Sequence, residues 1–136
     1  MIRCINDNDI NYIIEKMKYF DVLYEMSNIK NHPFNKYLVY EDNNELIGFL
    51  EYALCYDRLE LNYIFVNNEY RRRGIGEKLL KYLLDMYKEL DNITLEVSEK
   101  NTGAIKLYEK LNFEKVSIRE KYYSNGENAI LMMRRL

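Results

Sequence analysis

One fifteen-residue stretch constrains this chain more than any other. It reads Val66-Asn67-Asn68-Glu69-Tyr70-Arg71-Arg72-Arg73-Gly74-Ile75-Gly76-Glu77-Lys78-Leu79-Leu80. Before it, Leu59 to Val66 has the composition of a strand. After it, Leu79, Leu80, Leu83, Leu84 and Tyr87 recur every three to four residues, which predicts a helix from Glu77 to about Glu89. The fold must therefore pass from strand to helix through a turn holding three arginines and two glycines. Glycines one residue apart let the backbone approach a ligand with no Cβ in the way. A helix start supplies unpaired N–H groups and the positive end of its dipole. Together they make a site for a phosphate or pyrophosphate, with the arginines as cationic cover. A Walker A loop is absent, and a dinucleotide fingerprint fails because Leu79 stands at the third glycine position. The pattern present is R-x-x-G-x-G, which taken alone also fits a surface loop with solvated arginines.

The rest of the chain supplies a sheet and its helices. Ile2–Ile5 reads as a short strand, and Asn6-Asp7-Asn8-Asp9 offers helix N-caps. Ile10, Ile13, Ile14 and Met17 form an apolar helical stripe, and a weaker helical stretch covers Val22 to Ile29 until His32-Pro33 breaks it. Lys36–Tyr40 and Leu46–Tyr52 pair as a hairpin across Asp42-Asn43-Asn44, and Leu59–Val66 follows as a third strand. Ile93–Val97 is a short strand. Thr102–Leu111 is a helix with Ala104, Leu107, Tyr108 and Leu111 as its inner stripe, and Asn112 suits the left-handed residue that ends it. Lys115–Tyr123 and Ala129–Leu136 are strands joined through Ser124-Asn125-Gly126-Glu127. An antiparallel beginning followed by alternating helices and strands predicts an α/β (α+β) fold. With one proline, no repeat and no linker, residues 1–136 are expected to be a single domain.

Several function classes are set aside. The net charge is −2, against the positive balance of a domain built to grip nucleic acid. No apolar run approaches the ~18 residues that span a bilayer, and no signal peptide is evident, so neither membrane nor nucleic acid is expected as a partner and the cytoplasm is the expected location. Two cysteines and one histidine give no disulfide framework, no HExxH and no expected metal site. Cys4 and Cys55 lie near neither His32 nor the glycine turn in sequence. They read as buried small hydrophobes rather than acyl-carrying nucleophiles.

The R-x-x-G-x-G turn between a strand and an amphipathic helix resembles the acetyl-CoA loop of the GNAT (GCN5-related N-acetyltransferase) superfamily. Leu95-Glu96-Val97-Ser98 through Asn101-Thr102-Gly103-Ala104 to Tyr108 and Phe113 resembles the family's second cofactor-and-catalysis segment. Arg119-Glu120-Lys121-Tyr122-Tyr123 with Glu127-Asn128-Ala129 is similar to the ribosomal-protein-alanine acetylating branch. The resemblance covers about Tyr37 to Leu136.

It implies a mixed, mostly antiparallel central sheet with helices on both faces, splayed open near Val66 and Glu96 to hold acetyl-CoA. Ile64, Phe65 and Val66 would pair with the pantetheine arm as with an extra strand. Arg71, Arg72, Arg73, Gly74, Ile75, Gly76 and Glu77 would wrap the pyrophosphate, mainly through backbone N–H groups. Asn101 matches a cofactor-contacting position and also suits an N-cap.

Glu96 matches the branch's general base. An α-amino group has a reference pKa near ~8 and is mostly protonated at neutral pH, so it must lose a proton before it attacks. In the apolar strand Ile93–Val97 the Glu96 carboxylate is expected to be partly desolvated, which favours proton uptake. Tyr108, twelve residues later, matches the position that donates to the departing thiolate.

The implied activity is direct acetyl transfer to a primary amine: a protein N-terminus, such as a ribosomal-protein alanine, or a small amine. A non-catalytic CoA-binding module is the third reading, and either a monomer or a homodimer is compatible. Three departures bear on the acceptor side or the helix end. Asn112 replaces a common glycine, Asn128 stands where the branch has an acidic residue, and Asp21 to Phe34 lacks its Pro-aromatic pattern.

Overall fold

The computed structural model describes residues 1–90 and 92–134. Its strands are β1 (Ile2–Cys4), β2 (Asn35–Asp42), β3 (Glu45–Cys55), β4 (Arg58–Val66), β5 (Ile93–Ser98), β6 (Phe113–Arg119) and β7 (Ala129–Arg134). Its helices are α1 (Ile10–Met17), α2 (Met26–Ile29), α3 (Ile75–Met86) and α4 (Thr102–Lys110). The strands form one sheet in the order β1-β2-β3-β4-β5-β7-β6. Every pairing is antiparallel except β4 with β5. Among the described residues no helix is long and apolar enough to cross a membrane.

Two apolar clusters sandwich the sheet. On one face α3 and α4 bury Leu79, Leu80, Leu83, Ile105 and Tyr108 against Leu38, Leu50, Leu59, Leu61, Leu95 and Met132. On the other, Ile10, Ile13 and Met17 of α1 pack on Tyr37, Val39, Phe49 and Phe65. Each fully buried aliphatic or aromatic side chain stabilises the fold by about 1.5–3 kcal/mol. The expected helices on both faces and the mostly antiparallel sheet are thus observed.

The site is made by where pairing stops. β4 and β5 pair only at Leu59–Ile93, Glu60–Thr94 and Leu61–Leu95. Beyond Leu61 and Leu95 the strands part. At the same point β4 carries a bulge: Leu61 faces Tyr52 and Tyr63 faces Glu51, so Asn62 is the extra residue. The bulge reverses the alternation. Leu59 and Leu61 enter the α3/α4 core, and so do Ile64 and Val66, while Tyr63 and Phe65 turn to the α1 side.

Several boundaries differ from expectation, each for a local reason. The stretch over Val22–Ile29 is helical only at Met26–Ile29. Asp21 takes φ 59° and the Val22 N–H donates to Met17 O, which ends the preceding turn. A reciprocal cap between Glu25 and Asn28 then starts the short helix. α3 begins at Ile75, two residues early, because Gly74 is its left-handed N-cap at φ 76°. β6 ends at Arg119 rather than Tyr123. Lys121 takes φ 53°, and its N–H donates to the Asn128 side chain at 2.8 Å instead of to a ladder. Ile105 and Tyr108 are the buried residues of α4, while Ala104, Leu107 and, just past its end, Leu111 are only partly buried. Cys4 is exposed on the edge strand and Cys55 is half-buried, so neither is the buried hydrophobe expected. The last two residues of the expected strand Ala129–Leu136 lie outside the described residues.

Candidate active site

A cleft of about 750 Å³ opens between the end of β4, the arginine–glycine turn and the first turns of α3 and α4. Of the residues singled out in the sequence, Ile64, Phe65, Val66, Arg71, Arg72, Gly74, Ile75, Gly76, Glu77 and Asn101 line it. Arg73 does not: its guanidinium lies over the Tyr70 ring, 5.3 Å from the centroid. The cleft also draws on residues the sequence did not flag, chiefly Tyr19 and Phe20 after α1, and Lys106 and Lys110 on α4.

Backbone geometry sets the cleft's chemistry. Lys78 N–H donates to Gly74 O at 3.0 Å, so the N–H groups of Ile75, Gly76 and Glu77 precede the first intrahelical bond and have no partner within the helix. Gly76 leaves a gap: a Cβ there would stand 3.7 Å from Ile64 Cγ2 and 4.0 Å from Val66 Cγ2. The arginines are not equivalent. Arg71 donates through Nε to Val66 O at 2.9 Å and spreads over Tyr19 and Phe65, so it closes the strand end rather than facing a ligand. Glu77 is likewise committed, to Lys110 at 2.6 Å and Lys81 at 3.7 Å, and the Lys110 contact holds its carboxyl below the usual range. This ion pair ties α3 to α4. Among the described residues, Arg72 and Lys106 are the cleft cations whose side chains are engaged in no ion pair, hydrogen bond or ring contact, whereas Arg71 and Lys110 are committed. Asn101 Oδ1 accepts from Ala104 N at 3.2 Å, the N-cap expected of it, which leaves its amide N–H₂ free to donate.

A second cavity, about 270 Å³, lies on the α1 side of the splay. Its walls include Tyr24, Glu51, Asn62 and Tyr63, with Glu96, Tyr122 and Tyr123 across the gap. Glu96 alternates with the buried Leu95 and Val97, which sends it to this face. Its side chain is 19% exposed, with Oε1 3.3 Å from Arg119 Nη2, and its Oε2 is buried without a hydrogen-bond partner. Tyr108 lines neither cavity. It is buried in the α4 core, edge-on to Phe113 at 6.0 Å. Burial, with a smaller contribution from Tyr123, pushes its hydroxyl up to about 12.

Glu51 was not legible as a site residue. It is 1% exposed in the middle of β3. Its Oε1 accepts from Tyr24 Oη at 2.8 Å and from Tyr37 Oη, and its Oε2 from Asn62 Nδ2 at 2.8 Å. Burial first, and then this carboxylate, push the Tyr24 and Tyr37 hydroxyls upward. One buried acid thus fastens the segment before α2, strand β2 and the β4 bulge. The signal available was a glutamate inside the apolar run Leu46–Leu54.

Residues 5–113 match the model of the acetyltransferase (GNAT) family. A [ribosomal protein bS18]-alanine N-acetyltransferase of Haemophilus influenzae is 35% identical over 129 residues, covering 89% of this chain and 87% of its own length. The crystal structure of the ribosomal-protein-S18-alanine N-acetyltransferase from Escherichia coli superposes with TM-score 0.86 at 26% identity, over 98% of this chain and 92% of that one. Arabidopsis thaliana Naa50 in complex with the bisubstrate analogue CoA-Ac-MVNAL superposes with TM-score 0.81 at 25% identity, over 100% and 98%.

Proposed function

The chain belongs to the acetyltransferase (GNAT) family, and from that premise we propose that it is a single-domain enzyme moving the acetyl group of acetyl-CoA directly onto the N-terminal amine of a protein. The observation that carries the reading is a pair of cavities on opposite faces of one splayed sheet, separated by the end of β4. The names of the similar enzymes, and the peptide half of the Naa50 analogue, support a protein N-terminus as the acceptor.

The larger cleft fits acetyl-CoA as a substrate. The β5-facing edge of Asn62–Val66 has no ladder partner, so it can pair with the two amides of a pantetheine arm. The N–H groups of Ile75, Gly76 and Glu77 face the path of a pyrophosphate, and the gap at Gly76 admits it. Arg72 and Lys106 supply charge. Arg71, Glu77 and Arg73 act indirectly or through backbone, since their side chains are engaged elsewhere.

On the other face Glu96 takes the proton of the acceptor amine. The amine nitrogen attacks the thioester carbonyl, the C–N bond forms and the C–S bond breaks, and the nitrogen's second proton replaces the one given to the leaving sulfur. Tyr108, held neutral by burial, is the donor to the departing thiolate. Cys4 lies on the edge strand β1 and Cys55 at the β3–β4 turn, both at a distance from the splay beyond Leu61 and Leu95, which favours direct transfer over an acyl-enzyme.

The test is thiol release from acetyl-CoA with N-terminal peptides, the same peptides blocked at the α-amine, and small diamines, with the acetylated atom located by mass spectrometry. Acetyl on the α-amine of unblocked peptides alone is the expected result. Turnover confined to small amines would replace the protein acceptor.

A further inference from the structure

The acceptor cavity holds three carboxylates, Glu51, Glu60 and Glu96. Among the described residues, the cation paired with any of them is Arg119, on Glu96. The other titratable groups facing Glu96 are Tyr63 of β4, Tyr24 before α2, and Tyr122 and Tyr123 after β6. Glu96 Oε2 is sealed from solvent, so a group arriving from the cavity meets the carboxylate at Oε1. That is the oxygen Arg119 holds.

Arg119 combines a backbone held in the sheet with an exposed side chain. It is the last residue of β6, in register with Ala129, and so reaches across β7 to Glu96, which pairs with Leu131. The connection after it is fastened at both ends. Asn128 accepts from Lys121 N and donates to Glu99, and Ser98 donates to Glu127 at 2.6 Å. The arm itself is 56% exposed, and while it touches Glu96 its guanidinium also lies over the Tyr122 ring, 5.4 Å from the centroid, a contact that does not depend on the carboxylate.

We propose that Arg119 gates the acceptor site: its guanidinium occupies Glu96 Oε1 in the free protein, and an acceptor ammonium binds by displacing it from that oxygen while the arm keeps its contact with Tyr122. This rests on the reading of Glu96 as the base. The apparent acceptor affinity is then the intrinsic affinity reduced by the fraction of molecules with the gate open. A guanidinium leaving as an ammonium arrives keeps the charge at Glu96 balanced throughout.

Steady-state kinetics of Arg119→Gln, Arg119→Lys, Glu96→Gln and the Glu96→Gln/Arg119→Gln pair test it, with thermal melts to confirm folding. Arg119→Gln should lower the acceptor KM by about three- to tenfold, a larger change than in kcat, and Arg119→Lys should restore most of the wild-type KM. In the Glu96→Gln background the Arg119→Gln effect on KM should vanish, because the gate has lost its latch. An acceptor KM that is unchanged or raised in folded Arg119→Gln, or a full effect in the Glu96→Gln background, would overturn the gate. A Glu96→Gln variant with wild-type kcat would instead overturn the base, and the KM of Arg119→Gln alone would still decide whether Arg119 obstructs the acceptor.

Discussion

Tyr63 and Ile64 are consecutive residues that open onto different cavities, Tyr63 onto the acidic one and Ile64 onto the cleft beneath α3. Alternation along a strand accounts for their opposite directions. The Asn62 bulge accounts for which goes where, because without it Tyr63 would follow Leu59 and Leu61 into the α3/α4 core. One inserted residue therefore presents an aromatic wall to the acceptor side and an aliphatic wall to the cofactor side.

The bulge is held by the Asn62–Glu51 hydrogen bond, so Asn62→Ala should be felt at both ends of the site. Losing a donor to a buried carboxylate should cost about 1–3 kcal/mol in urea unfolding. The acceptor KM should also rise in the folded variant. Unchanged stability would mean that backbone pairing alone sets the bulge.

Gly76→Asp tests the cofactor cleft. The new Cβ would fill the gap toward Ile64 and Val66, and the carboxylate would repel a phosphate. An acid in the first turn suits the helix dipole, so α3 should survive. Calorimetry should show CoA affinity lower by at least about tenfold in a folded protein. Wild-type affinity would move the pyrophosphate away from this turn.

Much of this geometry was legible in the sequence. The R-x-x-G-x-G turn marked the strand-to-helix passage, and ten of the eleven residues expected at the cofactor line the cleft. Local patterns were readable because the turn and the helical stripes are local. What stayed hidden depends on partners distant in the chain. Asn62 looks like any polar residue until its register against β3 is known. Glu51 becomes a hub only when Tyr24 and Tyr37 converge on it. Arg73 was grouped with Arg71 and Arg72, yet Tyr70 draws it away. The left-handed Arg72, at φ 65°, carried no glycine or asparagine to announce it.

Tyr108→Phe separates an acid from a packing residue. Removing the hydroxyl should slow single-turnover transfer by roughly 10-fold to 10³-fold, with a stability change of no more than about 1–2 kcal/mol. Normal transfer would leave Tyr108 a core residue. The same variant has a pH signature. Burial raises this hydroxyl from its ordinary value near 10 to about 12, so its neutral form contributes stability below pH ~10 that is lost as pH rises toward 12. Unfolding curves between those pH values should fall less steeply for Tyr108→Phe than for the wild type. Parallel curves would mean the phenol does not resist ionisation in the fold.

The most direct test of the account is single-turnover acetyl transfer by Glu96→Gln, followed across pH beside calorimetric CoA binding. Gln keeps the shape of the side chain and removes its capacity to take a proton. The account predicts transfer slower by about 10²-fold or more near neutral pH, partial recovery as the acceptor amine deprotonates above pH ~8, and unchanged CoA affinity. Transfer at the wild-type rate throughout that range would contradict it.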